Sequence, residues 1–594
     1  MGKKRNEIND KYKWDLESIY DSEEKLRDDF EKVKKLLSDI EKYKGKLGDN
    51  AESLYNALSL YENIARTSES IYVYTHMKQH EDNTNTKNQA LSGKSEMLST
   101  EISTATSFIV PEIISIDESK INEFMKNENL KCYKRFINEI LRKKPYTLSP
   151  REEEILASSS DVANAIENTY EMLSFADLKF PEINDENGQK VQITHGNYST
   201  FMQSKNRDVR KSAFTSMYET YSKYKNTFAS TLSGGIKREI FYSKIRGYNS
   251  AIEASLFQDD INIKVYDNLL DVISENINLL HRYLKLKKEF LGLDELHMYD
   301  LYVPLVQNFD MKVSYEKAQE LILNALRPLG DEYVSLVKKC FDERWIDVYE
   351  NEGKKGGAYS WGSYDSHPFI LMNYKDDLNS LFTLAHEIGH SIHSYYSRKN
   401  QPYIDSRYKI FVAEVASTLN EQLLMDYMLK NSSSKEERLY LLNYYLEQFR
   451  TTVYRQVMFA EFEKITHEKI ENKESLTSEQ FCDIYYDLNV KYHGKDMVVD
   501  KDIQFEWARV PHFYSNFYVY KYATGFAAAS TLSFKILNKE SESVDKYIEF
   551  LKSGGSDYPL NQLRKAGVDM EDKTSIEIAL RTFEDLINKL EQER

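Results

Sequence analysis

Proline and glycine, the residues that most often end helices, are scarce in this chain: 10 and 21 in 594 residues. So little punctuation over such a length favours long helices. The stretch SEEKLRDDFEKVKKLLSDIEKYKGKL, residues 22–47, carries apolar residues at three-to-four spacing and closes near Gly45. ESLYNALSLYENIARTSESIYVYTHMKQHEDN repeats the pattern with tyrosines on its apolar stripe. Both predict amphipathic helices. No fixed-period repeat marks a solenoid.

Two stretches break the helical pattern. In LKFPEINDENGQKVQITHGNYSTFM, residues 178–202, Asn187-Gly188 sits between short alternating segments and predicts a hairpin. It sets a soft boundary near residues 180–205. The second break begins at the glycine-rich loop 353–357. An apolar run from Pro368 to Tyr374 follows, short enough for a strand, and Asp376, Asp377 or Asn379 can cap a helix after it. A chain this long exceeds one hydrophobic core, so at least two domains are expected.

The net charge of −16 argues against binding nucleic acid, which needs clustered Lys and Arg, and against anionic membrane surfaces. No uncharged apolar run approaches the ~20 residues that span a bilayer. The basic start, MGKKRNEINDKYKWDLESIY, lacks the apolar core of a secretory signal. Three scattered cysteines, Cys132, Cys340 and Cys482, suit a reducing cytoplasm and build neither a disulfide framework nor a CxxC metal site.

The helix expected after the strand carries LFTLAHEIGHSIHSYYS, residues 381–397. His386 and His390 are four apart, one turn up the same face, where two imidazoles can reach one metal ion. Glu387 lies about 100° round the helix, placed to take a proton from a water on that metal. A catalytic zinc takes three protein ligands and keeps one position open. His393 is a poor third ligand, because it stands about 10.5 Å from His386 along the axis; a supporting or packed role suits it better. Gly389 costs the helix about 1 kcal/mol against alanine, which a crowded site explains. Downstream, FVAEVASTLNEQLLMDYML sets Glu414 and Glu421 seven apart on one helical face. Glu414 sits in an apolar context where an unpaired carboxylate is costly and a zinc ion would satisfy it. Glu421 is placed to orient a ligand imidazole. Alone, the pair would read as surface glutamates. A third cluster, WARVPHFYSNFYVYKYATGFAAAS, crowds His512, Tyr514, Tyr518, Tyr520 and Tyr522 into eleven residues. A phenol or imidazole there can donate to an oxyanion, although aromatic stripes are usually core.

HEIGHSIHS, FVAEVASTLNE, HFYSNFYVYKYATG, SGGSDYPLNQLRKAGVDM and KWDLESIY together resemble the oligoendopeptidase F branch of the thimet-oligopeptidase-like zinc metallopeptidases, in order and over nearly the whole chain. The resemblance implies a mainly α fold of two helical domains around a deep substrate channel, with a small β-sheet beside the zinc-motif helix. It implies an N-terminal helical region over residues 1–195 and a catalytic domain over 196–594. It makes His386, His390 and Glu414 the ligands of one zinc per chain, Glu387 the general base and His512 a substrate-binding histidine. Tyr518 and Tyr522 fit the family's downstream tyrosines with a one-residue offset. The loop GGAYSWGSYDSHPF, with Gly356, Gly357 and Tyr359, matches a segment over the cleft, and Tyr514 is taken as a further substrate contact. The expected activity is internal cleavage of short unstructured peptides, with the strand 368–374 pairing with the substrate backbone. A helical zinc carboxypeptidase and a non-catalytic peptide-binding scaffold are the alternatives, the second disfavoured because a binding module has no use for Glu387.

Overall fold

The computed structural model describes residues 3–306, 309 and 311–594. Helices dominate it, and its seven strands form three small sheets among the described residues. β1 (Glu182–Asn184) and β2 (Lys190–Gln192) pair antiparallel around Asn187-Gly188, with Gly188 in the left-handed region at φ +76°. β3 (Leu296–His297) and β7 (Met497–Val498) pair parallel. β4 (Ile346–Asp347), β5 (Tyr359–Trp361) and β6 (Phe369–Leu371) make a three-stranded sheet in the order β4-β6-β5.

The chain forms two compact units, each built from three segments. One comprises Met1–Pro145, Met311–Tyr427 and Leu532–Gly567; the other comprises Tyr146–Asp310, Met428–Thr531 and Val568–Arg594. In the first unit the two N-terminal helices span Glu23–Ile40, capped by the Ser22 hydroxyl, and Ala51–Glu81, capped by Asn50. Their apolar stripes meet: Val33, Ile40, Leu54, Leu58, Ile64 and Ile71 are all buried in one core. At about 1.5–3 kcal/mol for each side chain of this size, that stripe outweighs the helices' own propensity.

The segment before these helices anchors the three-stranded sheet. Trp14 and Leu16 pack with Phe369 and Leu371 of β6, and the Trp14 indole donates to Glu81 at 2.7 Å. Arg5 donates to Asp347 of β4 at 2.6 Å, and Lys354 lies 2.6 Å from the same buried carboxylate. The sheet corrects one expectation. β6, the core of the predicted strand 368–374, is the central strand, parallel to β4 and antiparallel to β5. Both of its hydrogen-bonding edges are taken, so it cannot accept a peptide as an added strand. The edge strand on that side is β5.

After β6 the chain turns into the helix Leu378–Asn400, whose N-terminus is capped by Asp377 accepting from the Ser380 amide at 2.7 Å. This helix carries the histidines. It lies close against the helix Ile410–Lys430 at Gly389: a Cβ built there would stand 2.5 Å from the Ser417 Cα and 2.6 Å from the Ala416 carbonyl oxygen. Those are backbone atoms and cannot swing aside. Gly389→Ala should therefore lower the unfolding midpoint, costing about 1–3 kcal/mol by overpacking, where helix propensity alone would raise it. Thermal unfolding of the variant reads the sign directly, and an unchanged or higher midpoint would contradict the close approach.

Candidate metal centre

Two helices supply the cluster. The Nε2 atoms of His386 and His390 face each other at 3.1 Å. Glu414, on the second helix, brings Oε2 to 3.2 Å from His386 Nε2 and 3.5 Å from His390 Nε2. These are the three groups, among the described residues, whose ligand atoms converge as a metal set. A tetrahedral ion with ligands at about 2.0–2.1 Å separates neighbouring ligand atoms by about 3.3–3.4 Å. The observed edges of 3.1, 3.2 and 3.5 Å fit that figure. Two imidazole nitrogens and one carboxylate oxygen are also a donor set that suits zinc.

The surroundings hold these ligands in place. His386 Nδ1 lies 2.6 Å from Glu421 Oε1, an arrangement that fixes which ring nitrogen faces Glu414. The Ser417 hydroxyl donates to Glu414 Oε2 at 3.0 Å. Burial opposes a charge on His386, but its contacts with Glu414 and Glu421 outweigh burial and hold its pKa well above the ordinary histidine value. Burial likewise works against the Glu414 anion, and the two histidines reverse it, holding its pKa far below the usual carboxylate range. The carboxylates thus already favour positive charge at the point where a cation would sit.

Glu387 is not one of the three groups. It is 8% exposed, and burial pushes its pKa up despite the nearby His390 and His386. A carboxylate with reduced solvation and raised basicity is suited to accepting and returning a proton. His393 is absent from the ligand set. It is buried, stacks on Tyr408 with ring centroids 3.7 Å apart, and is driven down to about 3 by burial, so it packs as a neutral ring.

β5 lies beside the motif helix, with the Ser360 and Ser391 hydroxyls 2.8 Å apart. The strand's alternation sends Tyr359 to the other face, where its hydroxyl meets His80 Nδ1 at 2.7 Å. Gly356 and Gly357 are exposed just before β5, and Asn373 donates to the Gly357 carbonyl at 2.8 Å.

The remaining predicted residues belong to the second unit. His512, Tyr518 and Tyr522 come together there: Tyr522 Oη is 3.3 Å from His512 Nε2, and the Tyr518 and Tyr522 rings are 5.5 Å apart. Burial lowers the His512 pKa. Tyr514 does not join them. It is buried against Tyr170, ring centroids 4.3 Å apart, with its hydroxyl 2.7 Å from the Thr231 hydroxyl. Sequence reasoning passed over Glu463, fully buried with its pKa raised by burial. It accepts from the Phe517 amide at 2.6 Å and so holds a residue at φ +49° in the loop between His512 and Tyr518. Its helix, Arg455–Glu471, carries Glu461, Lys464, Glu468 and Lys469 as well, so nothing in the sequence marked Glu463 out.

Comparison with known proteins matches residues 200–582 to the family described as Peptidase family M3, and residues 112–180 to Oligopeptidase F. Oligopeptidase PepF of Bacillus subtilis is 49% identical over 99% of this chain and 88% of its own length. An oligoendopeptidase F homolog of Lactococcus lactis is 42% identical over 100% of this chain and 99% of its own. Among solved structures, oligoendopeptidase-F from Enterococcus faecium superimposes with a TM-score of 0.74 at 39% identity, covering 96% of this chain and 99% of that one. A Chlamydophila abortus protein gives 0.94 at 38% identity over the full length of both.

Proposed function

The chain belongs to peptidase family M3, and on that premise we propose that it is a zinc-dependent endopeptidase that cuts internal bonds of short, unstructured peptides. The observation that carries the reading is the triangle of ligand atoms on His386, His390 and Glu414, with a buried carboxylate on the adjoining residue. A bound zinc would supply a Lewis acid that acidifies a water and polarises the scissile carbonyl. Glu387 takes the proton of the attacking water and then gives it to the leaving amine. Glu421 keeps His386 in its ligating orientation. His512, Tyr518 and Tyr522 are assigned to the substrate and its oxyanion, with hydroxyl and imidazole donors.

β5 offers its open edge to an extended peptide, whose main chain can extend the sheet. Gly356 and Gly357 form the approach to that strand and Tyr359 begins it, while Tyr514, in the other unit, serves by packing against Tyr170. The same reading divides the chain into an N-terminal region, residues 1–195, and a catalytic region, 196–594. It places the protein in the cytoplasm, where Cys132, Cys340 and Cys482 stay free thiols. No described helix is long and apolar enough to cross a membrane.

Mass spectrometry of a digest tests the reading. Short peptides should yield internal fragments, while a reduced, alkylated casein survives. Stepwise loss from the C-terminus would make the enzyme a carboxypeptidase. Cleavage of the long chain at many sites would remove the size limit.

A further inference from the structure

We propose that the second unit contains a separate binding pocket for a small organic carboxylate, built around Arg450, Arg455 and Arg509. The pocket is a cavity of about 180 Å³, and all of its lining residues belong to that unit. Three guanidiniums and one carboxylate, Glu506, line it. Arg455 donates to Glu506 at 2.7 Å and to the Tyr302 hydroxyl at 2.5 Å. Arg450 is matched by Glu447 behind the wall, at 2.7 Å. Arg509 has no carboxylate within ion-pair distance among the described residues: it donates to the Tyr218 hydroxyl at 3.3 Å and lies over the Tyr198 ring at 4.7 Å.

The charges around the cavity do not balance. Glu447 already serves Lys287 as well as Arg450, and Glu506 must answer both Arg455 and Arg509. Leaving Lys287 aside, three guanidiniums face two carboxylates. Asp300, on the same unit, is matched twice over by Arg207 and Arg210. His493 in the lining is pushed down to about 4 by burial and adds no charge at neutral pH. A partly buried guanidinium without a counter-ion is unfavourable, and an incoming anion would relieve it. That excess stands inside a protein of net charge −16, so the bulk charge does not explain it.

One further observation points the same way. Arg450 to Tyr454 forms a π-helical turn between two α-helices. Such a turn brings residues five apart onto one face, and Arg450 and Arg455 both line the cavity. Phe214, Leu280, Met298 and Met458 give the wall an apolar part, which favours a carboxylate with an apolar body over a bare inorganic ion.

Benzoate titrated calorimetrically into the zinc-loaded full-length protein at low chloride tests this, with benzyl alcohol as the uncharged control. The expected result is saturable one-to-one binding of benzoate and none of benzyl alcohol. Arg509→Gln should weaken binding at least about tenfold. Met458→Phe, which adds bulk at the apolar wall, should weaken it several-fold with the unfolding midpoint retained, which keeps the test valid should the arginine variant fail to fold. Binding should persist in Glu414→Ala, which separates this pocket from the metal centre and from the proposed peptidase activity. Binding lost with Glu414→Ala, or untouched by both pocket variants, would overturn the proposal. Displacement by equimolar chloride would overturn the preference for an organic carboxylate.

Discussion

Glu387→Gln should retain the metal and the fold of the parent while kcat falls by about 10²–10⁴-fold, the usual contribution of a positioned acid–base group. The amide preserves the shape of a side chain that is only 8% exposed, so packing gives no reason for the loss. What it removes is the ability to take a proton from water and return it to the amine. That contribution exists only on the way to the transition state, so kcat and kcat/KM should fall together while KM stays near the parent value. Steady-state kinetics on one short peptide, beside metal analysis of the same preparation, checks it. Turnover near the parent value would remove Glu387 from the mechanism.

Glu414→Ala and His393→Ala should separate cleanly. Glu414 contributes one of three ligand atoms, and its loss leaves two imidazoles facing each other at 3.1 Å with no anion between them and the ion. Two neutral ligands hold zinc weakly, so the purified variant should carry well under a tenth of the parent's metal, with activity lost in proportion. His393 lies one turn beyond His390 but stacks on Tyr408. Its truncation leaves a cavity costing on the order of 2 kcal/mol of stability, with the metal content kept. The reverse pattern, metal lost with His393 and kept without Glu414, would mean that the ligands had been misassigned.

The meeting of His386, His390 and Glu414 was legible in sequence because each part has a short-range signature. Histidines four apart must share a helical face, and a glutamate among apolar residues needs a partner. The cap at Asp377 and the hairpin at Asn187-Gly188 were legible for the same reason: local turn and cap chemistry decides them. The place of β6 in its sheet was not. Whether residues 369–371 lie at an edge depends on pairing with residues 346–347 and 359–361, and nothing local to the strand records those partners. Gly389 showed only that the helix carried a costly residue; the backbone of Ser417 that demands it lies on another helix. Compact units assembled from three segments each are equally hidden from a search for linkers. The crowding of Arg450, Tyr454 and Arg455 around one cavity depends on a π-turn that ordinary helical spacing does not foresee.

The central claim is that His386, His390 and Glu414 hold the zinc on which peptide cleavage depends. The most direct measurement is zinc content by mass spectrometry, taken on one sample as purified, after dialysis against a chelator and after zinc is restored, with cleavage of a short peptide followed at each stage. The account predicts one zinc per chain, activity that disappears with the metal, and recovery of both together in the parent but not in Glu414→Ala. Full cleavage by the metal-free parent, or full zinc occupancy in Glu414→Ala, would contradict it.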